Sequence, residues 1–360
     1  MHSETLKRLI LCIAACSLGI TLLVSTVIRH TTRTVYVRDP RLASLPGVRT
    51  LDPNAELFEI EQREPNRTVI HWRKIDVHVV GGGRVMMREG ADNVQVFGEL
   101  PGGKVYPVVI DTANPGVAAV TSTIVRDAGL EVYPFEDPGG SRGGVCLVPT
   151  LKMGDVTIAN LACECWLGHY EQRVLGRATW IERKLNIGLG LLKRFGQVRI
   201  DSVDEEVRFS SGDFQPDEPN DWRSYPMFID HDGNRGERLV VTIPIDGRIV
   251  NVGLDTGAGP GLILTEKKRA EILPTARILR HKTDQMATPG GHMRCRKMSL
   301  ETLSIAGMVL TQTPVHVTED NNPFGSDHLV LGMGYLKDTV IVLDFKHNLL
   351  WIRNRPPAHP

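Results

Sequence analysis

The sequence has no excess of charge of either sign, since Lys plus Arg and Asp plus Glu each number 42. Without a net field, nothing draws the chain onto nucleic acid, which is not expected as a partner. The histidines are scattered with no HExxH pair, and the six cysteines follow no zinc spacing, so neither a metal nor a cofactor is expected. Glycine-rich stretches at 81–84 and 188–190 lack the further glycine and the helix start of a dinucleotide site. Residues 139–143 spell GxSxG around Ser141. However, Asp137 and Pro138 stand where a strand should lead in, and Gly144 follows where a helix should begin.

Long apolar runs are also scarce, and the one exception is Leu9 to Ile28, LILCIAACSLGITLLVSTVI. It is about the 20 residues that span a bilayer, so a single-pass anchor is expected within residues 1–34. A cleaved signal peptide fits less well, because the run is long for one and no AxA-like site follows. Basic residues stand on both sides, Lys7 and Arg8 before, Arg29, Arg33 and Arg38 after. They fix the orientation poorly, and an extracytoplasmic body is the expectation. Cys12 and Cys16 lie in this run, leaving Cys146, Cys163, Cys165 and Cys295, which are open either to pairing in an oxidising compartment or to remaining as thiols.

What is present is a chain of 360 residues, 41% hydrophobic, with 35 glycines and 22 prolines. That length can bury one large core or two ordinary ones, and the composition favours short strands joined by turns. Shifted by 144 residues, the sequence falls on itself: VVIDTANPG (108–116) meets VGLDTGAGP (252–260), so Asp111 and Thr112 meet Asp255 and Thr256. Gly103 meets Gly247, Val96 meets Val240, and Thr121 meets Thr265, each threonine placed to cap a short helix. IGLGLLK (187–193) meets LGMGYLK (331–337), which places Gly188 and Gly332 each 77 residues beyond its aspartate.

One tripeptide can arise by chance, but a shared spacing requires a duplicated unit. The expected organisation is a stalk and approach segment over 35–74, lobe 1 over 75–210, a linker over 211–235 rich in Pro, Asp, Asn and Gly, and lobe 2 over 236–355. Residues 77–89 are read as a further hairpin. The alternation in LVVTIPIDGRIVNVGLD around Asp246 and Gly247 predicts a tight hairpin leading to Asp255.

Two copies of one motif can bring their equivalent residues together across a pseudo-two-fold axis. Two carboxylates in one site do not both ionise easily, so the pair titrates as a unit with one proton retained. The charged partner can then take a proton from water while the other donates to a carbonyl oxygen, which is amide hydrolysis without a covalent intermediate.

On these residues the sequence resembles the pepsin and retropepsin superfamily of aspartic peptidases over most of 90–355. LDTGA (254–258) with LGMG (331–334) matches its signature of a DTG motif and a packing glycine pair, and IDTAN (110–114) with IGLG (187–190) is the first copy. The resemblance implies a mainly β, bilobal fold of two retropepsin-like barrel lobes in a monomer acting on peptide or protein substrates. It also implies Asp111 and Asp255 as the catalytic dyad, with Thr112 and Thr256 bonded across the axis and Gly188 and Gly332 packed under the two loops. VLDFKHNLLWI (342–352) resembles the closing hairpin.

Lobe 1 departs from the pattern at Ala113 and Asn114, where lobe 2 has Gly257 and Ala258. Ala258 has no hydroxyl to steady a charged carboxylate, so a pH optimum nearer neutral is expected. A flap is expected at 137–149, with Gly139, Gly140, Gly143 and Gly144 at its mobile tip and 287–297 as the lobe 2 counterpart. The leading reading is a membrane-tethered aspartic endopeptidase. The alternative keeps the fold and drops the chemistry, leaving a peptide-binding module, and a serine hydrolase would rest on Ser141 alone.

Overall fold

The computed structural model describes residues 32–38, 58–64, 67–79, 83–136, 142–166, 168–232, 236–288, 291–320 and 327–354. The predicted anchor lies outside these residues, as do Gly139, Gly140 and Ser141. Among the described residues no helix is long and apolar enough to cross a membrane.

In chain order, β1 (Thr32–Arg38) and the pair β2 (Phe58–Glu64) and β3 (Arg67–Trp72) come first. The first repeat follows with β4 (Asp76–Val79), β5 (Arg84–Met86), β6 (Gln95–Leu100), β7 (Lys104–Asp111), β8 (Ala118–Thr121) and helix α1 (Ser122–Ala128). It continues through β9 (Val132–Glu136), β10 (Arg142–Met153), β11 (Val156–Trp166), β12 (Gly168–Val174), β13 (Arg177–Ile181), β14 (Leu185–Gly188) and α2 (Leu189–Leu192). Next come β15 (Gln197–Asp201), β16 (Glu206–Ser210) and β17 (Trp222–Asp232). The second repeat holds β18 (Gly236–Ile245), β19 (Arg248–Asp255), β20 (Leu262–Thr265), α3 (Glu266–Ile272), β21 (Ile278–Thr288), β22 (Gly291–Ile305), β23 (Met308–Thr318) and β24 (Leu329–Gly332). The closing hairpin is β25 (Thr339–Asp344) and β26 (Leu349–Asn354).

The molecule is mainly β with barrel-like sheets. Lobe 1 orders its strands β4-β11-β8-β14-β7-β6-β10-β9 and curls so that β10 also meets β11. The strands β21-β22-β23-β20-β24-β19-β18 of lobe 2 curl likewise through β22 and β18. The same sheet runs on through β17-β26-β25-β15-β16-β5. Both halves of the chain therefore contribute to one continuous sheet, and among the described residues one hydrophobic cluster runs through the two lobes.

The 144-residue offset holds strand by strand: β7, β8, α1 and β14 fall on β19, β20, α3 and β24 with matching ends. At the turn between β18 and β19, Asp246 and Gly247 take φ of 45° and 78°. This is the doubly left-handed turn whose twist suits two strands, and it explains the Asp-Gly pair there. Thr265 caps α3 by accepting from the Lys268 amide, whereas Thr121 stands at the start of α1 without a side-chain cap. The Thr121 hydroxyl accepts instead from the Lys184 amide, which ties α1 to the strand entering β14.

Two expectations are corrected. Residues 77–89 do not form a hairpin, since β4 pairs with β11 and β5 with β16, so each strand satisfies its backbone with a distant partner. Within the expected linker, Trp222–Asp232 is a strand that joins β26 to β18. Arg223, Ser224 and His231 are exposed, while Trp222 and Met227 are buried.

Candidate active site

Each aspartate ends a strand whose neighbour is parallel and short, with Asp111 paired to Gly188 and Asp255 to Gly332. The glycines are required by space. A Cβ on Gly188 would lie 2.2 Å from the Gly116 carbonyl oxygen, and one on Gly332 would lie 2.1 Å from that of Pro260. Backbone thus packs directly on backbone beneath both loops. The Gly188 amide donates to Val117 O and the Gly332 amide to Gly261 O, at 2.9 and 2.8 Å.

The loops are locked together by exchanged threonines. The Thr112 amide donates to Thr256 Oγ1 (3.1 Å) and the Thr256 amide to Thr112 Oγ1 (3.0 Å). Each hydroxyl donates onward to a carbonyl of the other lobe, Thr112 to Leu254 O (2.6 Å) and Thr256 to Ile110 O (2.7 Å). Both threonines are wholly buried, so every one of these bonds satisfies a group that water cannot reach. From the bend before β6, Asn93 Nδ2 braces the Gly257 carbonyl at 2.7 Å.

This lock brings the carboxylates into one site around Gly257. A Cβ there would sit 2.7 Å from Asp111 Cγ, and the Gly257 amide donates to Asp255 Oδ1 at 2.9 Å. Burial, then the negative charge of Asp111, raises the Asp255 pKa to about 7. Burial also raises that of Asp111, opposed first by the charge of Lys184 and then by hydrogen bonds.

Those bonds make the pair unequal. Asp111 Oδ1 accepts from the Ala113 and Asn114 amides at 3.1 and 3.2 Å, and Oδ2 from Asn186 Nδ2 at 2.9 Å. Ala113 is exposed, so alanine at the glycine position leaves Asp111 with its loop amides. The side chain of Asn114 does not reach Asp111; its Oδ1 accepts from the Gly116 amide instead. Asn186, rather than Asn114, supplies the side-chain donor to Asp111. The only hint was a polar residue in the apolar strand LNIG, where the 144 offset places Val330.

The strands β9 and β10 on either side of the expected flap tip pair antiparallel, Glu136 opposite Arg142. Gly143 and Gly144 belong to β10, opposite Phe135 and Pro134, and are therefore not at its tip. Cys146, Cys163, Cys165 and Cys295 are all buried free thiols. A surface concavity of about 330 Å³ lined by Gln197, Arg199, Arg208 and Phe214 lies on the shared sheet and touches neither aspartate.

Residues 241–335 match the family model described as aspartyl protease, a span that contains Asp255, Thr256 and Gly332. No curated protein matches the chain. Among solved structures, the chain is similar to an aspartic proteinase from Irpex lacteus at 11% identity, covering 76% of this chain and 98% of that one, with a TM-score of 0.44. Basic 7S globulin from soybean is 12% identical over 78% of this chain and 95% of its own, TM-score 0.40. Conglutin gamma, a unique basic 7S globulin from lupine seeds, is 10% identical over 78% and 96%, TM-score 0.40.

Proposed function

We propose that this chain, which belongs with the pepsin- and retropepsin-like aspartic peptidases by its lobe 2 signature and its mainly β fold, hydrolyses peptide bonds with Asp111 and Asp255. The observation that carries this reading is the pair of carboxylates sharing one site, with the proton of Asp255 retained to about pH 7. Asp111, held by three hydrogen bonds and the field of Lys184, is the ionised base. It takes a proton from a water lying between the two groups, and the water oxygen bonds to the scissile carbonyl carbon. Asp255 gives its proton to the carbonyl oxygen, so a neutral gem-diol forms. Collapse of the diol breaks the C–N bond. One hydroxyl proton returns to Asp255 as the carbonyl reforms, and the nitrogen leaves with the proton that Asp111 took. The rigid threonine lock holds the donors in place throughout, which is where such sites gain most of their rate.

The test is cleavage of a peptide library by the detergent-solubilised full chain, repeated with Asp111→Asn and with Asp255→Asn. Loss with either change supports the dyad, and cleavage surviving both overturns it. Peptide binding without cleavage by the unaltered chain would leave the non-catalytic module.

The raised pKa values fix the sign of the pH dependence. Only the singly protonated pair is competent, so kcat/KM should fall above about pH 7 as Asp255 loses its proton. It should also fall in acid, as Asp111 gains one. A rate optimum below about pH 4, near an unperturbed carboxyl pKa, would contradict the assignment.

The apolar run at 9–28 supports a membrane tether for this body. The chain should stay with membranes through alkaline carbonate washing, and release into the wash would remove the tether from the account.

A further inference from the structure

Residues directly opposite one another across paired strands point to the same face of a sheet, and so do residues two apart along one strand. Both aspartates can therefore be used to trace which side chains share their face of each sheet. In lobe 1, Val109 lies two residues before Asp111 and is paired with Asn186, whose amide reaches the Asp111 carboxylate. The row continues sideways from Asn186 to Ala119, Glu164, Val145 and Tyr133. In lobe 2, Gly253 lies two before Asp255, and its row passes through Val330, Ile263, His316, Lys297 and Lys282. Val109, Ala119, Val145 and Ile263 are buried yet stand outside the continuous hydrophobic core, so they lie on the opposite face of each sheet from it.

The two rows carry opposite charge. Glu164 is the one charged residue of the lobe 1 row and has no cationic partner among the described residues. It is open to solvent, yet enough protein surrounds its carboxyl to raise its pKa, which is the signature of a concave position. The lobe 2 row holds Lys297, Lys282 and His316, and His316 Nδ1 is buried without a hydrogen-bond partner. Desolvation, then Lys297, lowers the His316 pKa, with Asp284 opposing. Asp284, two residues from Lys282 on the same face and 3.8 Å from its Nζ, offsets that cation, so the wall remains positive by Lys297. Lys184 is the nearby cation on the lobe 1 side, and its field falls on the aspartates rather than on Glu164.

We propose that the cleft is polarised along its length, the Glu164 wall accepting a cationic side chain of an extended peptide and the Lys297–His316 wall an acidic one across the scissile bond. This rests on the reading that the cleft binds peptide. With strands about 4.8 Å apart, Glu164 stands two strands, about 10 Å, beyond Asn186. An extended peptide advances about 3.3 Å per residue, so the favoured charges fall roughly two or three residues to either side of the bond.

The experiment uses the detergent-solubilised full chain and a peptide series with Lys, Gln or Glu at those positions, repeated with Glu164→Gln and Glu164→Lys. The expected result is about tenfold or greater preference in kcat/KM for Lys on one side and Glu on the other. Glu164→Gln should erase the Lys preference and Glu164→Lys should reverse it, each read as the ratio of kcat/KM for the Lys and Glu peptides within one variant. Cleavage indifferent to charge, or a preference that Glu164→Lys does not move, overturns the polarity while leaving the hydrolysis intact. If no peptide is cleaved, the catalytic reading fails, and fluorescence anisotropy of the same labelled peptides decides the polarity. Binding that follows the charge pattern and shifts with Glu164→Lys supports it, and equal or absent binding of all sequences overturns it.

Discussion

Asp255→Asn is expected to abolish most peptide hydrolysis and, above neutral pH, to make the protein more stable. The activity loss follows from removing the one group that carries the transferable proton. General acid–base catalysis contributes roughly 10²–10⁴-fold, and the loss in kcat should fall in that range. The stability gain follows from the same burial. An unfolded aspartate has a pKa of about 3.9, whereas Asp255 in the folded chain is raised to about 7. Between those values the folded state binds more protons than the unfolded one, so its stability declines as pH rises, and the penalty is complete above about pH 7. Asparagine keeps an oxygen for the Gly257 amide and carries no charge beside Asp111. The variant should therefore match the parent below about pH 4 and exceed it by at most about 4 kcal/mol, or several degrees in Tm, above pH 7. Thermal melts across that range check it. An activity-dead variant that is less stable at every pH would mean that Asp255 serves the fold rather than the chemistry.

Gly332→Ala should do the reverse, destroying activity by damaging structure. Its added methyl would lie 2.1 Å from Pro260 O, 2.8 Å from Ala258 O and 3.1 Å from Ala258 Cβ. Two of those three atoms are backbone, so no side chain can swing aside, and the loop that carries Asp255 must move. The Met333 amide bond to Ala258 O, at 2.9 Å, would stretch with it. A cost of about 3 kcal/mol, the upper end for overpacking, is expected in denaturant unfolding. Gly253→Ala is the control, because its new methyl would find nothing closer than Leu329 O at 3.5 Å and should change stability little. Equal melting of the two variants would remove the packing role assigned to Gly332.

The duplication was legible in the sequence because it is carried by local features repeated at one spacing. Aspartates end apolar strands, glycines stand 77 residues later, and Asp246 and Gly247 spell their own turn. Features that depend on distant partners were not legible. Asn186 meets Asp111 from 75 positions away along the chain, and an asparagine in a short strand carries no mark of the carboxylate it will face. β4 and β5 lie close enough in sequence for a hairpin, yet each is claimed by a longer strand elsewhere. Trp222–Asp232 reads as a linker because half its residues face water, and its strand character comes from two neighbours, β26 and β18, that no local pattern reveals. The charge on the cleft walls emerges only after the register is known, since Glu164 and His316 belong to strands far from either motif.

The most direct measurement is a ¹³C NMR titration of the aspartate carboxyls in the full chain, alone and with Asp111→Asn. Two coupled steps are predicted, one near pH 7, and the substitution should lower the Asp255 step by removing its charged neighbour. Two independent titrations near pH 4, with Asp255 unmoved by the change at Asp111, would show that the carboxylates do not share a site.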